Sequence, residues 1–202
     1  MLLPVDHEEI LIEATFHGLE LLTAPGRVFT PRPATEALVD AALRHVDGGP
    51  VAIADVGTGS GAIAVALAVE APQAEVFATD VSEDAVELAR ANAERHGVSD
   101  RVHVLRGNLL DPVPRTVDLV VANLPYLPDG AHRPEYDGEP PGAVYAPGDG
   151  LGPLRALVDI CAAGKLATPG WVIVQYHRDV LEYDCRHLER LRARLARGAA
   201  AA

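Results

Sequence analysis

A doubly wound α/β fold built on a mainly parallel sheet is predicted by three features of the sequence. From about residue 51 onward, short apolar runs alternate with helical patterns, as βα units feeding a parallel sheet do. The first run, VAIADV (51 to 56), passes straight into a glycine-rich turn, Gly57-Thr58-Gly59-Ser60-Gly61, and then into a helix. The 202 residues are 49% hydrophobic and 23% charged, which suits one globular core. No window approaches the ~20 uninterrupted apolar residues of a membrane span, so no membrane partner is expected.

Residues 7 to 23 carry a weakly amphipathic helical pattern, and Pro31 and Pro33 punctuate the approach to a second helix at about 34 to 46. Residues 1–48 thus read as a helical approach segment and 49–202 as the core, one domain in all. GAIAVALAVEA follows the glycine turn as a helix, and EVFATD (75 to 80) is the second strand. SEDAVELARANAERHG is the next helix, with Ser82 as N-cap, Val86, Ala89 and Ala93 on one face, and Gly97 at the stop. RVHVLRG, VDLVVANL and WVIVQY (171 to 176) supply the third, fourth and fifth strands. Between the last two runs a Pro/Gly-rich stretch, Leu127 to Pro153, of a length that is usually functional. HRDVLEYDCRHLERLRARLARG reads as a single closing helix.

MLLPVDHEEI lacks a basic region, and its apolar run is broken by Pro4 and Asp6, so it does not read as a secretory signal and a cytoplasmic location is expected. Cys161 and Cys185 have neither CxxC spacing nor companion ligands, so reduced thiols and no metal site are expected. Seventeen basic against twenty-nine acidic side chains leave a formal charge of -12, which repels a phosphate backbone. Arg186 to Arg197 is a local basic patch, read as the solvated face of a helix whose leucines point inward. A nucleic-acid partner is therefore not expected; a protein or a small molecule is.

The glycine turn lets a ligand approach the backbone with no Cβ in the way, and Asp80, closing the next strand, can accept both hydroxyls of a ribose. Two cofactor classes compete for such a site, a dinucleotide and S-adenosyl-L-methionine. Asp55 would repel a pyrophosphate yet suits the methionine ammonium, directly or through water, so Asp55, Gly57, Thr58, Gly59, Ser60 and Gly61 lean towards S-adenosylmethionine. Val81 follows Asp80 at the same rim. Asn108 offers an amide to the polar edge of the adenine, and Leu109 an apolar face.

At the end of the fourth strand stands Asn123-Leu124-Pro125-Tyr126. An amide nitrogen is a poor nucleophile, because its lone pair is delocalised into the carbonyl. A protein can offer two carbonyl acceptors, the Asn123 side chain and a backbone C=O such as that of Leu124, which bind an NH2 group and aim its lone pair. Tyr126 can stack on the planar acceptor and exclude water. Asn123 can also touch the cofactor.

These motifs, with GNLLDP, FHGLELLTAPGRVFTPRPATEALV (16 to 39) and EPPGAVYAPGDGL (139 to 151), resemble the HemK family of protein-(glutamine-N5) methyltransferases over roughly residues 16 to 176. The resemblance implies a Rossmann-like class I methyltransferase fold, S-adenosylmethionine held by Gly57, Thr58, Gly59, Gly61 and Asp80, and a glutamine amide held by Asn123, Leu124, Pro125 and Tyr126. It implies as substrate the Gly-Gly-Gln loop of a translation release factor. Three departures accompany it: Leu124 stands where the family has a first proline, the ~25 residues before the approach segment are too few for the family's helical docking domain, and the usual C-terminal antiparallel strands are missing. In the family order 3-2-1-4-5-7-6 that loss would leave WVIVQY an open apolar edge, and a homodimer is expected to cover it. An adenine N6-methyltransferase, a small-molecule N-methyltransferase and an inactive cofactor-binding paralogue remain as other readings.

Overall fold

The structure, a computed structural model, describes residues 11–177 and 179–198. It opens with a β-hairpin. β1 (Ile12–Phe16) and β2 (Leu19–Thr23) pair antiparallel with Phe16 opposite Leu19, so that His17 and Gly18 alone make the turn. Both have positive φ, 49° and 74°, the backbone of a two-residue hairpin turn that a glycine at its second position accommodates. This overturns the helix expected at 7 to 23, of which residues 7–10 lie outside the described residues. Phe16, Leu21 and Thr23 are buried, and in β2 the spacing of two between Leu21 and Thr23 is that of a strand.

α1 (Pro33–Leu43) begins on Pro33, whose missing N–H costs nothing in a first turn. The βα succession then runs as predicted: β3 (Val51–Val56), α2 (Ala62–Glu70), β4 (Ala74–Asp80), α3 (Glu83–Arg95), β5 (Val102–Arg106) and β6 (Val117–Ala122). Ser82 caps α3, its hydroxyl accepting from the Ala85 N–H at 3.4 Å. The Pro/Gly-rich stretch contains β7 (Leu127–Pro128), α4 (Pro141–Val144) and β8 (Tyr145–Ala146), and β7 and β8 pair in parallel. α5 (Gly152–Ile160) leads through one wide helical turn into β9 (Leu166–Tyr176), which starts five residues before the predicted strand.

The single closing helix is also overturned. Residues 179–184 form β10 (Asp179–Asp184), antiparallel to β9, and only after a short turn does α6 (Leu188–Gly198) begin. The central sheet therefore has six strands in the order β10-β9-β6-β3-β4-β5, all parallel except β10. One C-terminal antiparallel strand is present where none was expected. It hydrogen-bonds the outer side of β9, which removes the open edge that was the reason for expecting a second subunit.

Core residues alternate along the strands. Ile53, Val76, Leu119, Val121 and Ile173 pack beneath α1, α2 and α3, whereas Ala54, Phe77, Val120, Val172 and Val174 pack beneath α5 and α6. In α6, Leu188, Leu191 and Leu195 are buried, and two of its arginines meet acids: Arg194 pairs with Asp179, and Arg192 with Asp159 and Glu189. The basic tail is thus the solvated face of a helix whose leucines point inward, ion-paired at Arg192 and Arg194 and exposed at Arg190 and Arg197. Among the described residues no helix is long and apolar enough to cross a membrane.

Leu181 anchors β10 to the α5–α6 side and is 5% exposed. Leu181→Ala is expected to destabilise the protein by about 2–4 kcal/mol, measured by urea unfolding, and to speed amide exchange along residues 172–176 as the edge loosens. Unchanged exchange there would mean that β10 does not protect β9.

Candidate active site

In an open α/β sheet the crevice for ligands opens outside the carboxyl ends of the strands where the winding reverses. Here that point lies between β3, which is followed by a crossover to β4, and its other neighbour β6. A cavity of about 390 Å³ sits there, a size typical of small-molecule sites. Of the predicted cofactor residues, Gly57, Thr58, Gly59, Ser60, Asp80, Val81, Asn108, Leu109 and Asn123 line it, as do Leu124 and Pro125. Asp55 and Gly61 do not.

The glycine turn is shaped from behind. Gly57 has φ 73°, a left-handed backbone that favours glycine, and a Cβ there would come within 2.8 Å of Leu124 Cδ2, so the leucine side chain would have to turn aside. Asp55 is fully buried beneath the turn, its Oδ2 accepting from Thr58 Oγ1 at 2.6 Å and from the Ala64 N–H at 3.1 Å. It therefore holds the turn and the start of α2 together through Oδ2, while Oδ1 is buried without a hydrogen-bond partner among the described residues. Burial pushes its carboxyl up to about 7, against the opposing hydrogen bonds from Thr58 and Ala64.

Asp80 lies at the rim. One oxygen accepts from the Gly59 N–H and the other from the Ser82 N–H, each at 3.0 Å. A carboxylate has about four acceptor sites, so two remain for the hydroxyls of a ribose. Beside it Val81 is 63% exposed, an apolar side chain held at the mouth of the cavity. Leu109, with φ 47°, stands on the opposite wall next to Asn108. The bare cradle, the rim carboxylate and the apolar walls fit a sulfonium nucleoside.

A second cavity, about 230 Å³, adjoins the first and shares with it Phe29, Thr35, Asn123, Leu124, Pro125 and Ala143. Asn123 Nδ2 donates to Thr35 Oγ1 at 3.2 Å, which leaves Oδ1 as the acceptor of that amide. Tyr126 lines the smaller cavity, its ring against those of Tyr176 and His177. Burial pushes its phenol above the ordinary value, so it stays protonated and donates, at 3.5 Å, to the His177 carbonyl.

The walls include residues to which the sequence reading gave no role. Arg32 stacks over Phe29 and Tyr136, donates to Glu135 O at 2.9 Å and pairs with Glu139 at 3.2 Å, while Glu139 also accepts from the Thr30 N–H. This clamp fastens the segment before α1 onto the Pro/Gly-rich stretch. Its only sequence signal is the pair of opposite charges at PRP (31 to 33) and EPP (139 to 141). Gly150, at φ 82°, packs under Tyr126 so closely that a Cβ would lie 2.4 Å from its carbonyl oxygen. Asp149 beside it holds Arg155 in a two-pronged bond at 2.6 and 2.9 Å.

A doubly wound sheet with a glycine cradle, a rim carboxylate and an Asn-x-Pro-Tyr turn at the switch point defines the class of nucleoside-binding group-transfer folds. Within it the chain belongs to the methyltransferase small domain family, whose model matches residues 29–135. It is 42% identical to the release factor glutamine methyltransferase of Gloeobacter violaceus over 172 residues, 81% of this chain and 58% of that protein. It is 40% identical to the same enzyme of Streptomyces coelicolor over 87% of this chain and 63% of that protein. The chain thus spans about three fifths of the length of these relatives. Among solved structures, a ribosomal protein L11 methylase from Lactobacillus delbrueckii superposes with a TM-score of 0.56 at 25% identity, covering 85% of this chain and 71% of that one. The 16S rRNA N2 G1207 methyltransferase of Thermus thermophilus, solved with AdoMet and guanosine, has the same fold, with a TM-score of 0.59 at 20% identity over 82% and 41%.

The buried Asp55 makes a pH prediction. Its folded pKa of about 7 lies above the ordinary aspartate value near 4, so between about pH 4 and pH 7 the unfolded chain has released the proton that the folded chain retains, and stability falls as pH rises through that window. Asp55→Asn, which cannot ionise, is expected to flatten that fall, on the order of a few kcal/mol, in urea unfolding at pH 5 and pH 8. A slope equal to the wild type's would assign it to other groups.

Proposed function

We propose that the chain is an S-adenosylmethionine-dependent N-methyltransferase acting on the side-chain amide of a protein glutamine, of the release-factor type, in the cytoplasm. The observation that carries this reading is the wall shared by the two cavities: Asn123, Leu124 and Pro125 stand between a nucleoside-sized site and a smaller aromatic one. The identities of 40–42% to release factor glutamine methyltransferases support the same acceptor.

S-adenosylmethionine supplies an electrophilic methyl group when bound. Asp80 would hold the ribose, Val81, Asn108 and Leu109 the adenine, and the Gly57–Gly61 turn the amino-acid part. On the other side Asn123 Oδ1, oriented by the Nδ2 bond to Thr35, and the Leu124 carbonyl would accept the two N–H groups of the amide. Such binding turns the nitrogen lone pair towards the larger cavity, and its gain is orientation rather than proton removal. Because the contact expected at Leu124 is its backbone carbonyl, leucine serves there as well as proline. Tyr126 flanks the acceptor and excludes water. The formal charge of -12 repels a phosphate backbone, which favours a protein acceptor over nucleic acid.

Intact-mass analysis of a bacterial release factor, incubated with the protein and S-adenosylmethionine, tests the reading. One added methyl mapped to the glutamine of its Gly-Gly-Gln loop is the expected result; methylated adenine in RNA with no change in the protein would overturn it. Asp80→Ala is expected to weaken S-adenosylmethionine binding by about 1.5–3 kcal/mol in calorimetric titration, through loss of charge-assisted hydrogen bonds. An unchanged dissociation constant would put the ribose elsewhere. Asn123→Ala should leave that constant within roughly threefold yet lower turnover by about 10² or more, read by label transfer. Equal losses of both would make Asn123 a cofactor ligand instead.

A further inference from the structure

We propose that residues 129–143 form a flap over both cavities and that Glu139 is the positioning residue that latches it shut, so that cofactor enters and leaves only as the latch breaks. The inference rests on the cofactor assignment above and needs no particular methyl acceptor.

The flap hangs between β7 and β8, which pair with each other at its base. It lines the larger cavity with Pro140, Gly142 and Ala143, and the smaller one with Glu135, Tyr136 and Ala143. No residue from 129 to 143 is buried, so no apolar anchor holds the segment down. Segments with few buried apolar contacts open at low free energy, which is what a lid requires. The facing strap, residues 24–32, is fixed instead: Val28 is 3% exposed and packs with Ala85 and Leu88 of α3, Arg27 pairs with Asp84, and the strap runs on into α1. A movable leaf therefore meets a fixed post.

Hydrogen bonds join leaf to post at one place. Glu139 accepts from the Thr30 N–H at 3.0 Å and from Arg32 Nη2 at 3.2 Å, and Arg32 Nη2 also donates to the Glu135 carbonyl. Among the described residues, the other hydrogen bonds that leave the flap go to Tyr126 and Tyr145, which flank it in the chain. The Glu139 side chain is 9% exposed and lines neither cavity, so it acts on a ligand only through the residues it holds. Its carboxylate meets a guanidinium, and charge-assisted bonds of that kind are the strong ones, yet water can replace both donors when the flap lifts, without disturbing the sheet. Phe29 of the strap and Ala143 of the flap each line both cavities, so closure places them at the boundary a methyl group has to pass.

The test uses the full chain and S-adenosylhomocysteine, with association and dissociation rates read by surface plasmon resonance and flap opening by hydrogen–deuterium exchange. Glu139→Gln, close in volume but uncharged, should raise both rates, dissociation by about tenfold, the equivalent of about 1.4 kcal/mol and the scale of one charge-assisted bond. Faster association is the mark of a gate, because a residue that merely shaped the site would slow binding or leave its rate alone. Exchange along 133–143 should quicken by a similar factor while that of residues 51–56 is unchanged. Arg32→Met, which removes the other half of the latch, should act in the same way. In the wild type, saturating S-adenosylhomocysteine should slow exchange along 133–143. Association that is unchanged or slower in both variants, or wild-type flap exchange indifferent to the ligand, overturns the proposal and leaves the cofactor assignment standing; no binding of S-adenosylhomocysteine at all brings down both.

Discussion

The site depends on one constraint of chain winding. From β3 the chain winds outward through β4 to β5, and it must come back past β3 to lay down β6. Right-handed crossovers then carry the connections after β3 and β6 to opposite faces, so the two turns diverge and leave a crevice between them. Gly57 and Leu124 mark the floor of that crevice, where the Leu124 side chain packs over a glycine held at φ 73°. Everything chemical in this protein hangs from the rims of that gap: the cradle and Asp80 on one side, Asn123 to Tyr126 on the other.

Loops that bound a gap have to be held open in one shape, and buried polar side chains do this by bonding to backbone. Asp55 ties the glycine turn to α2, and Asp80 ties it to the start of α3. Asn92, fully buried in α3, accepts from the Leu22 N–H and donates to the carbonyls of Leu22 and Ser60, so the N-terminal hairpin is braced against the same turn. Each bond is worth only about 0.5–1.5 kcal/mol net, but together they set the loop before any ligand arrives, which spares binding the cost of ordering it. The Arg32–Glu139 clamp does the same beside the smaller cavity, through a partly buried ion pair stacked on two aromatic rings.

What could be read from the sequence divides along physical lines. β3, β4 and β6 are apolar on both faces because helices cover both, and such runs bounded by glycine or a carboxylate read as strands without further information. The glycine turn and Asn-Leu-Pro-Tyr were legible because their residue types follow from the chemistry they serve. The hairpin was not, since Ile12, Phe16, Leu19 and Leu22 are spaced four, three and three apart as on a helix face, and the positive φ at both His17 and Gly18 had to be recognised from a single glycine. β10 was hidden by coincidence: Leu181, Cys185, Leu188, Leu191 and Leu195 follow a 3.6-residue period across a strand, a turn and a helix. Asp55 was read as a ligand residue, and what the sequence does not tell is that one of its oxygens braces the loop behind the cavity. Gln175 and His177 acquire a place only through strand register.

The closing strand joins two problems that could have been separate. An apolar strand at a sheet edge invites association, and β10 answers by pairing with β9 while presenting acids outward: Asp179 to Arg194, Glu182 to Arg44 and His45, Asp184 to Arg186 and His187. Asp179 lies opposite Tyr176, so the reversal takes two residues, and His177 occupies the first with φ 56°. That turn falls against the smaller cavity. The His177 carbonyl, turned inward by it, accepts from both Tyr126 and Gln175, and the His177 ring packs on Tyr126 and Tyr176. A longer connection could protect the edge equally well but would not fix that carbonyl. The tightness of the β9–β10 turn is therefore what makes edge protection and the shaping of the smaller cavity a single structural event, and it explains why the cavity wall is built at the sheet's C-terminal edge.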